Sequence, residues 1–209
     1  MDFVSARLNM VESQVRTNDV TDVDIVDAMR SFPRERFCPP GREHLAYAEA
    51  EIEYAPGHHL LNPRDLGKLL FSARPQAGQR ALAIGAPYAA ALMGRMGVNV
   101  TALESAEHDT RVRMALDGER VTVIGGDLKQ PPEGPFDLII AEGAVTKTPD
   151  SWIAALAPGG RLAVIERTGP LGKAQLYLKS QDGNVGRRMT FDATPPYVAG
   201  FEPEAGFVF

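Results

Sequence analysis

Residues 80–104, RALAIGAPYAAALMGRMGVNVTALE, decide the fold of this chain. The stretch begins with Arg80–Ile84, a short apolar run of strand length, and continues with Pro87–Met96, a segment of helical composition. A second β-rich run, Val98–Leu103, comes next and is closed by Glu104. This order predicts a β-α-β unit, the building block of parallel sheets whose strand ends bind nucleotides.

The turn between the first strand and the helix lacks most features of a working nucleotide site. Such turns in dinucleotide or S-adenosylmethionine (SAM) sites carry several glycines, which let the backbone approach the ligand and point N–H groups toward it. Here only Gly85 remains, followed by Ala86 and Pro87. Because proline has no N–H, it removes a donor at the place where donors are needed. The stretch therefore predicts the fold and argues against the chemistry that the fold usually performs.

Composition predicts one globular, cytoplasmic domain. The chain has 209 residues, of which 44% are hydrophobic and 23% charged, enough for a full core. A net charge of −5 argues against a general nucleic-acid partner. No apolar run approaches the ~18–20 residues that span a bilayer, so no membrane partner is expected, and the N-terminus lacks the apolar segment of a signal peptide. The single cysteine, Cys38, allows no internal disulfide and is expected to be a small buried residue.

Residues 1–209 are predicted to form a single domain, in which 1–75 are a helical extension with a substrate loop and 76–209 a Rossmann-like core. The extension shows helical spacing of apolar residues near the N-terminus and a helix start at Thr21–Asp24. Asn62-Pro63 predicts another helix start, with an asparagine cap and a proline in the first turn. The apolar positions expected to face the core are Val4, Leu8, Met10, Val11 and Val15 in the first helix and Leu66, Leu69, Leu70 and Phe71 in the later one.

Strands and helices alternate from Arg80 onward, which favours a parallel sheet with helices packed on it. The predicted strands are 80–84, 98–103, 120–124, 136–141 and 160–166, and the predicted helices are 87–96, 106–116 and 149–157. Two later segments, Gln175–Lys179 and Gly206–Phe209, are expected to be antiparallel edge strands.

Four residues that follow predicted strands are candidates for binding a cofactor: Gly85, Glu104, Asp127 and Glu142. Glu104 lies 19 residues after Gly85, where an acidic residue commonly binds ribose hydroxyls, although a solvated charge at a strand end is the simpler interpretation. Asp127 could accept a hydrogen bond from an adenine amino group, or could only shape the Gly-Asp turn. Glu142 follows the fourth predicted strand and is expected to face the same crevice.

His58 and His59 are adjacent on a predicted loop, where they could shuttle protons or only shape the loop. There is no HExxH spacing and there are no partner cysteines, so no metal site is expected.

The chain resembles the protein-L-isoaspartate O-methyltransferase family over nearly its whole length. The N-terminal pattern is its most specific part, because SAM-dependent methyltransferases in general lack it. The resemblance is carried by NMVESQVR at 9–16, VTD at 20–22, Ala28-Met29, PRERF at 33–37, Ala46-Tyr47, the stretch 57–63, Gly126-Asp127 and LAPGGRL at 156–162.

The resemblance implies a Rossmann-like, seven-stranded α/β sheet with helices on both faces, SAM as methyl donor and isoaspartyl carboxylates of proteins or peptides as acceptors. The chain departs from the family pattern in both halves of the site. Ala83 stands where the family has an acidic residue, and the glycine turn is two residues short. The family's substrate loop reads roughly GQTISQP and aligns with GHHLLNP here, so that Leu61 replaces its active-site serine. No catalytic residue is assigned, and the aligned loop positions are His58, His59, Leu61 and Asn62.

Three hypotheses remain. The first is a catalytically degenerate member, a pseudoenzyme with a binding or regulatory role and no cofactor, in which apolar groups such as Pro87-Tyr88 fill the vacated methionine position. The second is an active methyltransferase that binds SAM through a rebuilt loop. The third is a different enzyme on the same scaffold, with His58 or His59 as acid or base. The sequence leaves the oligomeric state open.

Overall fold

A computed structural model describes residues 2–204 of the chain. The six α-helices in this part are α1 (Phe3–Met10), α2 (Val23–Ser31), α3 (Pro63–Ala73), α4 (Pro87–Arg95), α5 (Asp109–Ala115) and α6 (Asp150–Ala154). A π-helical turn (Val11–Val15) and a 3-10 turn (Arg16–Asn18) continue α1, and two further 3-10 turns span Arg34–Phe37 and Glu43–Leu45. None of the helices in residues 2–204 combines the length and apolarity needed to cross a membrane.

Seven strands form one central sheet, which confirms the predicted seven-stranded α/β fold. The strands are β3 (Arg80–Ile84), β4 (Asn99–Ser105), β5 (Val121–Gly126), β6 (Phe136–Val145), β7 (Leu156–Arg167), β8 (Gly172–Lys179) and β9 (Val185–Asp192). Their order across the sheet is β5-β4-β3-β6-β7-β8-β9. The first five strands in this order run parallel to one another, whereas β8 and β9 are antiparallel additions at one edge. A separate two-stranded hairpin consists of β1 (Ile52–Ala55) and β2 (His58–Leu60).

The central strands are apolar on both faces because both faces are covered. Alternate residues of β3 enter different clusters of buried side chains: Ala81 and Ala83 join one, and Leu82 and Ile84 join the other. This is the pattern of a parallel strand with helices on either side. The larger cluster extends from the N-terminal helices to β9, so the extension and the sheet share one core.

The predicted helix starts are confirmed. Asp22 caps α2 by accepting a hydrogen bond from the Ile25 N–H at 3.1 Å. The Asn62 side chain caps α3 by accepting one from the Asp65 N–H at 2.9 Å. Three apolar positions expected to face the core are partly exposed instead, since Val4, Leu8 and Phe71 keep 60%, 43% and 37% of their surface.

Three strands of the structure, β1, β2 and β9, are absent from the sequence prediction. Residues 1–75 are predicted to be a helical extension with a substrate loop that holds His58 and His59, but β1 and β2 form a hairpin there. β9 was also missed, because its outward residues are polar or charged and give no apolar run. The edge strand predicted at Gln175–Lys179 is confirmed within β8, and the one predicted at Gly206–Phe209 lies outside the described residues.

We expect Asn62→Ala to destabilise the protein by about 1 kcal/mol, because the start of α3 loses its side-chain acceptor. Urea unfolding followed by circular dichroism measures this loss. Asn62→Ser is the matched control, since serine can accept the same bond and should stay closer to the parent protein. An equal loss in both variants would mean that the amide contact to Glu51, rather than the cap, stabilises this site.

Candidate functional site

The turn that follows β3 is closed by apolar side chains. Gly85 adopts a positive φ of 52°, and its N–H donates to the Leu103 carbonyl at 2.9 Å. A Cβ placed on Gly85 would lie 3.6 Å from a methyl carbon of Leu128 and 3.6 Å from one of Val198. The face of the turn that approaches a ligand in a nucleotide site is therefore in van der Waals contact with the protein itself.

Val198 belongs to a C-terminal segment, residues 196–201, that crosses the carboxyl end of β6. The Ala144 N–H donates to the Pro196 carbonyl, and the Val198 N–H donates back to the Ala144 carbonyl, both at 2.8 Å. Gly143 has a φ of 127°, and a Cβ there would approach a Val198 methyl carbon to 2.8 Å, so this position requires glycine. The segment thus places Val198 against both Gly85, in the turn after β3, and Gly143, within β6.

Glu142 lies within β6 and is almost completely buried, with 2% of its surface exposed. Its carboxylate accepts hydrogen bonds from the Ala89 N–H at 2.6 Å and the Leu61 N–H at 3.1 Å. Burial raises the pKa of Glu142 to about 7, although these backbone donors and the charge of Arg34 act in the opposite direction. Since Ala89 lies in the first turn of α4, a carboxylate of the protein occupies a donor that a bound anion would otherwise use.

Glu104 ends in the same interior rather than in solvent at a strand end. It is fully buried, and its Oε2 accepts a hydrogen bond from the Tyr54 hydroxyl at 2.8 Å. Its Oε1 has no hydrogen-bond partner in the described part of the chain. Burial raises the pKa of Glu104 to about 8, and the charge of Glu142 adds to the rise. The carboxyl expected to bind ribose is therefore engaged by a tyrosine of the β1–β2 hairpin.

Arg34 and Tyr88 form a buried pair beside these carboxyls. The Arg34 guanidinium lies 4.8 Å from the centre of the Tyr88 ring and donates to the Leu61 carbonyl at 2.7 Å. The Tyr88 ring also packs against Phe32 and Phe37, with ring centres 5.8 Å and 6.3 Å apart. Burial raises the pKa of Tyr88 to about 12. Aromatic packing against the N-terminal helices therefore covers the start of α4.

Asp127 is separated from the buried carboxyls and faces an open cleft of about 350 Å³, lined also by His58, Ser105, Lys129 and Phe201. Its Oδ1 accepts a hydrogen bond from the Lys129 N–H at 2.8 Å, as in a turn. Of the four predicted cofactor positions, Gly85, Glu104 and Glu142 thus lie in the closed interior and Asp127 lies outside it.

The four positions of the aligned loop have separate structural roles. His58 is buried in β2, its Nε2 lies 3.4 Å from the Ser105 hydroxyl, and its ring centre lies 4.9 Å from that of His108. Burial lowers the pKa of His58, and the charge of His108 adds to the effect. His59 is half-buried on the other face of β2, Leu61 is 1% exposed in the core, and Asn62 caps α3.

Two further expectations concern metal binding and Cys38. In residues 2–204, no group of three or more His, Cys, Asp or Glu side chains could hold a metal ion. Cys38 is buried as predicted, and burial raises the pKa of its thiol to about 11.

Sequence reasoning missed four residues that define this site: Arg34, Tyr54, Leu128 and Val198. All four are distant in sequence from the groups that they contact. Arg34 lies within the quoted motif PRERF and Tyr54 lies just before the quoted stretch 57–63, yet neither has a partner at a fixed spacing. Only the long-range pairing of the chain reveals their roles.

Comparisons with known proteins identify relatives over nearly the full chain. The family model described as Protein-L-isoaspartate(D-aspartate) O-methyltransferase matches residues 6–198. The protein-L-isoaspartate O-methyltransferase of Methylorubrum extorquens (strain PA1) is 33% identical over 189 residues, which cover 87% of this chain and 82% of that protein. The protein of the same name from Aeropyrum pernix is 32% identical over 199 residues, covering 89% and 76%.

A solved structure has the same fold. A Plasmodium falciparum protein, described as a beta-aspartate methyltransferase in complex with S-adenosyl-L-homocysteine, superposes with a TM-score of 0.75. The match covers 92% of this chain and 97% of that chain at 16% sequence identity. At this identity the likeness supports the fold alone.

The buried Glu104 predicts an unusual pH dependence of stability. Its pKa in the folded protein, about 8, lies above its ordinary value of 4.5, so its neutral form stabilises the folded state. That contribution is complete below pH 4.5 and is lost as the pH rises through about 8. We expect Glu104→Gln, which keeps an acceptor for Tyr54, to gain at least about 1.4 kcal/mol over the parent protein between pH 5 and pH 9.

Urea unfolding at several pH values measures this difference. The matched control is Glu107→Gln, because Glu107 is an exposed glutamate in the connection between β4 and α5. The pH profile of its stability should follow that of the parent protein. Parallel pH profiles for Glu104→Gln and the parent protein would show that Glu104 is ionised throughout.

Proposed function

The chain belongs to the protein-L-isoaspartate O-methyltransferase family, and from this membership and its closed site we propose that it is a degenerate member that binds partners without transferring methyl groups. The fold is kept, while the groups that would receive a methyl donor are used to hold the protein together. The proposed partner is a protein or peptide, and the proposed setting is the cytoplasm.

The observation that carries the proposal is the double hydrogen bond of Glu142. One carboxylate oxygen accepts from Ala89 at the start of α4, and the other accepts from Leu61 in the aligned substrate loop. A donor-binding turn needs free N–H groups at this helix start, and Pro87 supplies none. The same carboxylate therefore occupies polar groups on both the donor side and the acceptor side of the site.

The energetic cost of this arrangement for SAM binding is large. SAM has a charged methionine tail that needs several hydrogen bonds, each worth roughly 1.5–3 kcal/mol when charge-assisted. The loss of two or three such bonds weakens binding by roughly two to six decades, at about 1.4 kcal/mol per decade. A site of micromolar affinity would then stay empty at cellular concentrations.

The acceptor side has also lost its polar group. Leu61 stands where the family pattern has a serine, and its side chain is buried in the core. A leucine side chain neither donates nor accepts hydrogen bonds, so it cannot orient an isoaspartyl carboxylate. Repair of the cofactor turn alone would therefore not restore the family's reaction.

The alternative function is an active SAM-dependent carboxyl methyltransferase with a rebuilt loop. The cleft beside Asp127 and His58 favours it, because it leaves an accessible polar surface at the ends of β4 and β5. The relatives are also named as methyltransferases. This function requires the segment with Val198 to leave the Gly85 turn before SAM can enter.

We expect calorimetric titration with SAM and with S-adenosylhomocysteine to give no binding heat up to millimolar ligand. The physical reason is that the helix-start donor is taken by Glu142 and the turn is filled by Val198 and Leu128. The Methylorubrum extorquens relative, titrated in the same buffer, is the positive control. The protein should first be freed of co-purified ligand and checked for its folded circular dichroism spectrum.

A second assay separates the two functions completely. Transfer of labelled methyl groups to an isoaspartyl peptide should stay at the level of the enzyme-free blank. Low-micromolar binding of either ligand, together with methyl transfer above the blank, would establish the alternative and refute the proposal.

A further inference from the structure

The outer edge of the central sheet is an open strand. β9 hydrogen-bonds to β8 along one side, and within residues 2–204 no strand pairs with its other side. An open edge presents a row of backbone donors and acceptors to any extended chain that approaches it. Residues 185–189 are all exposed, including Met189 at 53% of its surface.

Two grooves flank this strand, one on each face of the sheet. The first, of about 740 Å³, contains Arg187 and its cross-strand neighbour Tyr177. The second, of about 350 Å³, lies between β9 and α3 and contains Arg188. Because adjacent strand residues point to opposite faces, a chain paired with β9 would place alternate side chains over the two grooves.

Both grooves carry basic side chains. Lys147 and Lys173 accompany Arg187 in the first, and Lys68 and Arg74 accompany Arg188 in the second. The acidic lining is smaller: Asp150 and Glu166 lie in the first groove and Asp19 in the second, so three cations face two carboxylates in the first groove and one in the second. Glu166 accepts hydrogen bonds from Tyr177 at 2.6 Å and from Arg187 at 2.9 Å. This bond also orients the Arg187 guanidinium at the mouth of its groove.

The charge of this part of the chain is opposite to that of the whole. Residues 147–192 contain seven Lys and Arg against four Asp and Glu, a net charge of +3, whereas the chain as a whole carries −5. A ligand attracted to this edge is therefore anionic and is repelled by the rest of the protein surface.

We propose that β9 and its two grooves bind an extended acidic peptide segment of a partner protein, which adds to the sheet as an eighth strand. Backbone hydrogen bonds to β9 provide the attachment, and carboxylates that contact the two sets of cations provide the selectivity. The surface is separate from the closed site, so this inference does not depend on whether SAM binds.

The probe is a capped eight-residue peptide in which pairs of glutamates are separated by valine. Adjacent glutamates of an extended peptide point to opposite faces of the sheet, so that they reach both grooves. Fluorescence polarisation of the labelled peptide at low salt should show saturable binding to the full chain. Arg188→Glu and Lys173→Glu should each weaken binding by about tenfold. Arg42→Glu, at an exposed arginine outside both grooves, is the control for net charge and should weaken it far less.

Strand addition is tested separately from charge attraction. Two N-methylated forms of the peptide, each blocked along a different edge, should differ in affinity, because only one edge of an added strand faces β9. The form blocked on the pairing edge should bind at least about tenfold more weakly than the other.

Several results would overturn the proposal. These are no binding at millimolar peptide, equal effects of Arg42→Glu and the two groove variants, and equal affinity of the two N-methylated peptides. Tighter binding of a single-stranded RNA of equal charge would assign the edge to nucleic acid, and self-association abolished by Arg188→Glu would assign it to a second copy of the chain. Either assignment refutes the peptide proposal.

Discussion

A single buried carboxylate, that of Glu142, connects the central strand β6 to α4 and to the loop before α3. Glu142 projects from the central strand β6, with one oxygen bonded to the first turn of α4 and the other to the loop before α3. A carboxyl group is expensive to bury without hydrogen-bond partners, and two amide donors and the nearby charge of Arg34 reduce that cost. Removal of either donor would leave a poorly satisfied group in the core, so closure of the site and stability of the core depend on the same contacts.

The other groups of the crevice are also in contact with the protein itself. The carboxyl of Glu104 is also buried, and it accepts a hydrogen bond from Tyr54 of the β1–β2 hairpin. The C-terminal segment lies across β6, where Gly143 leaves room for the side chain of Val198. In each of these contacts the protein, rather than solvent, covers a group of the crevice. In this protein, Glu104 and Glu142, at the end of the sheet where parallel folds usually bind nucleotides, are hydrogen-bonded to other groups of the chain.

The sequence predicts the local parts of this structure well and the long-range parts poorly. The β3-α4-β4 unit can be predicted because the spacing of apolar residues changes from strand to helix and back within one short stretch. Asn62 can be predicted as a cap because its hydrogen bond joins residues only three positions apart. The hairpin and β9 give no such signal, since their strands are short or charged and owe their pairing to distant partners. Glu104 was found as a candidate, but its burial depends on Tyr54, fifty residues away. The closure of Gly85 depends on Val198, which no spacing rule connects to it.

The exposed charges of β9 determine which chains can pair with its open edge. Two adjacent arginines on an open strand discourage pairing between copies, because an antiparallel pair would bring Arg187 and Arg188 close to their own equivalents. The same arginines favour a strand of opposite charge, so protection against self-association and affinity for an acidic segment have one physical origin. Within residues 2–204, the outer edge of β9 keeps its polar backbone groups available for pairing. A binding role of this edge is thus independent of the state of the crevice, since the edge does not involve Glu142, Glu104 or Val198.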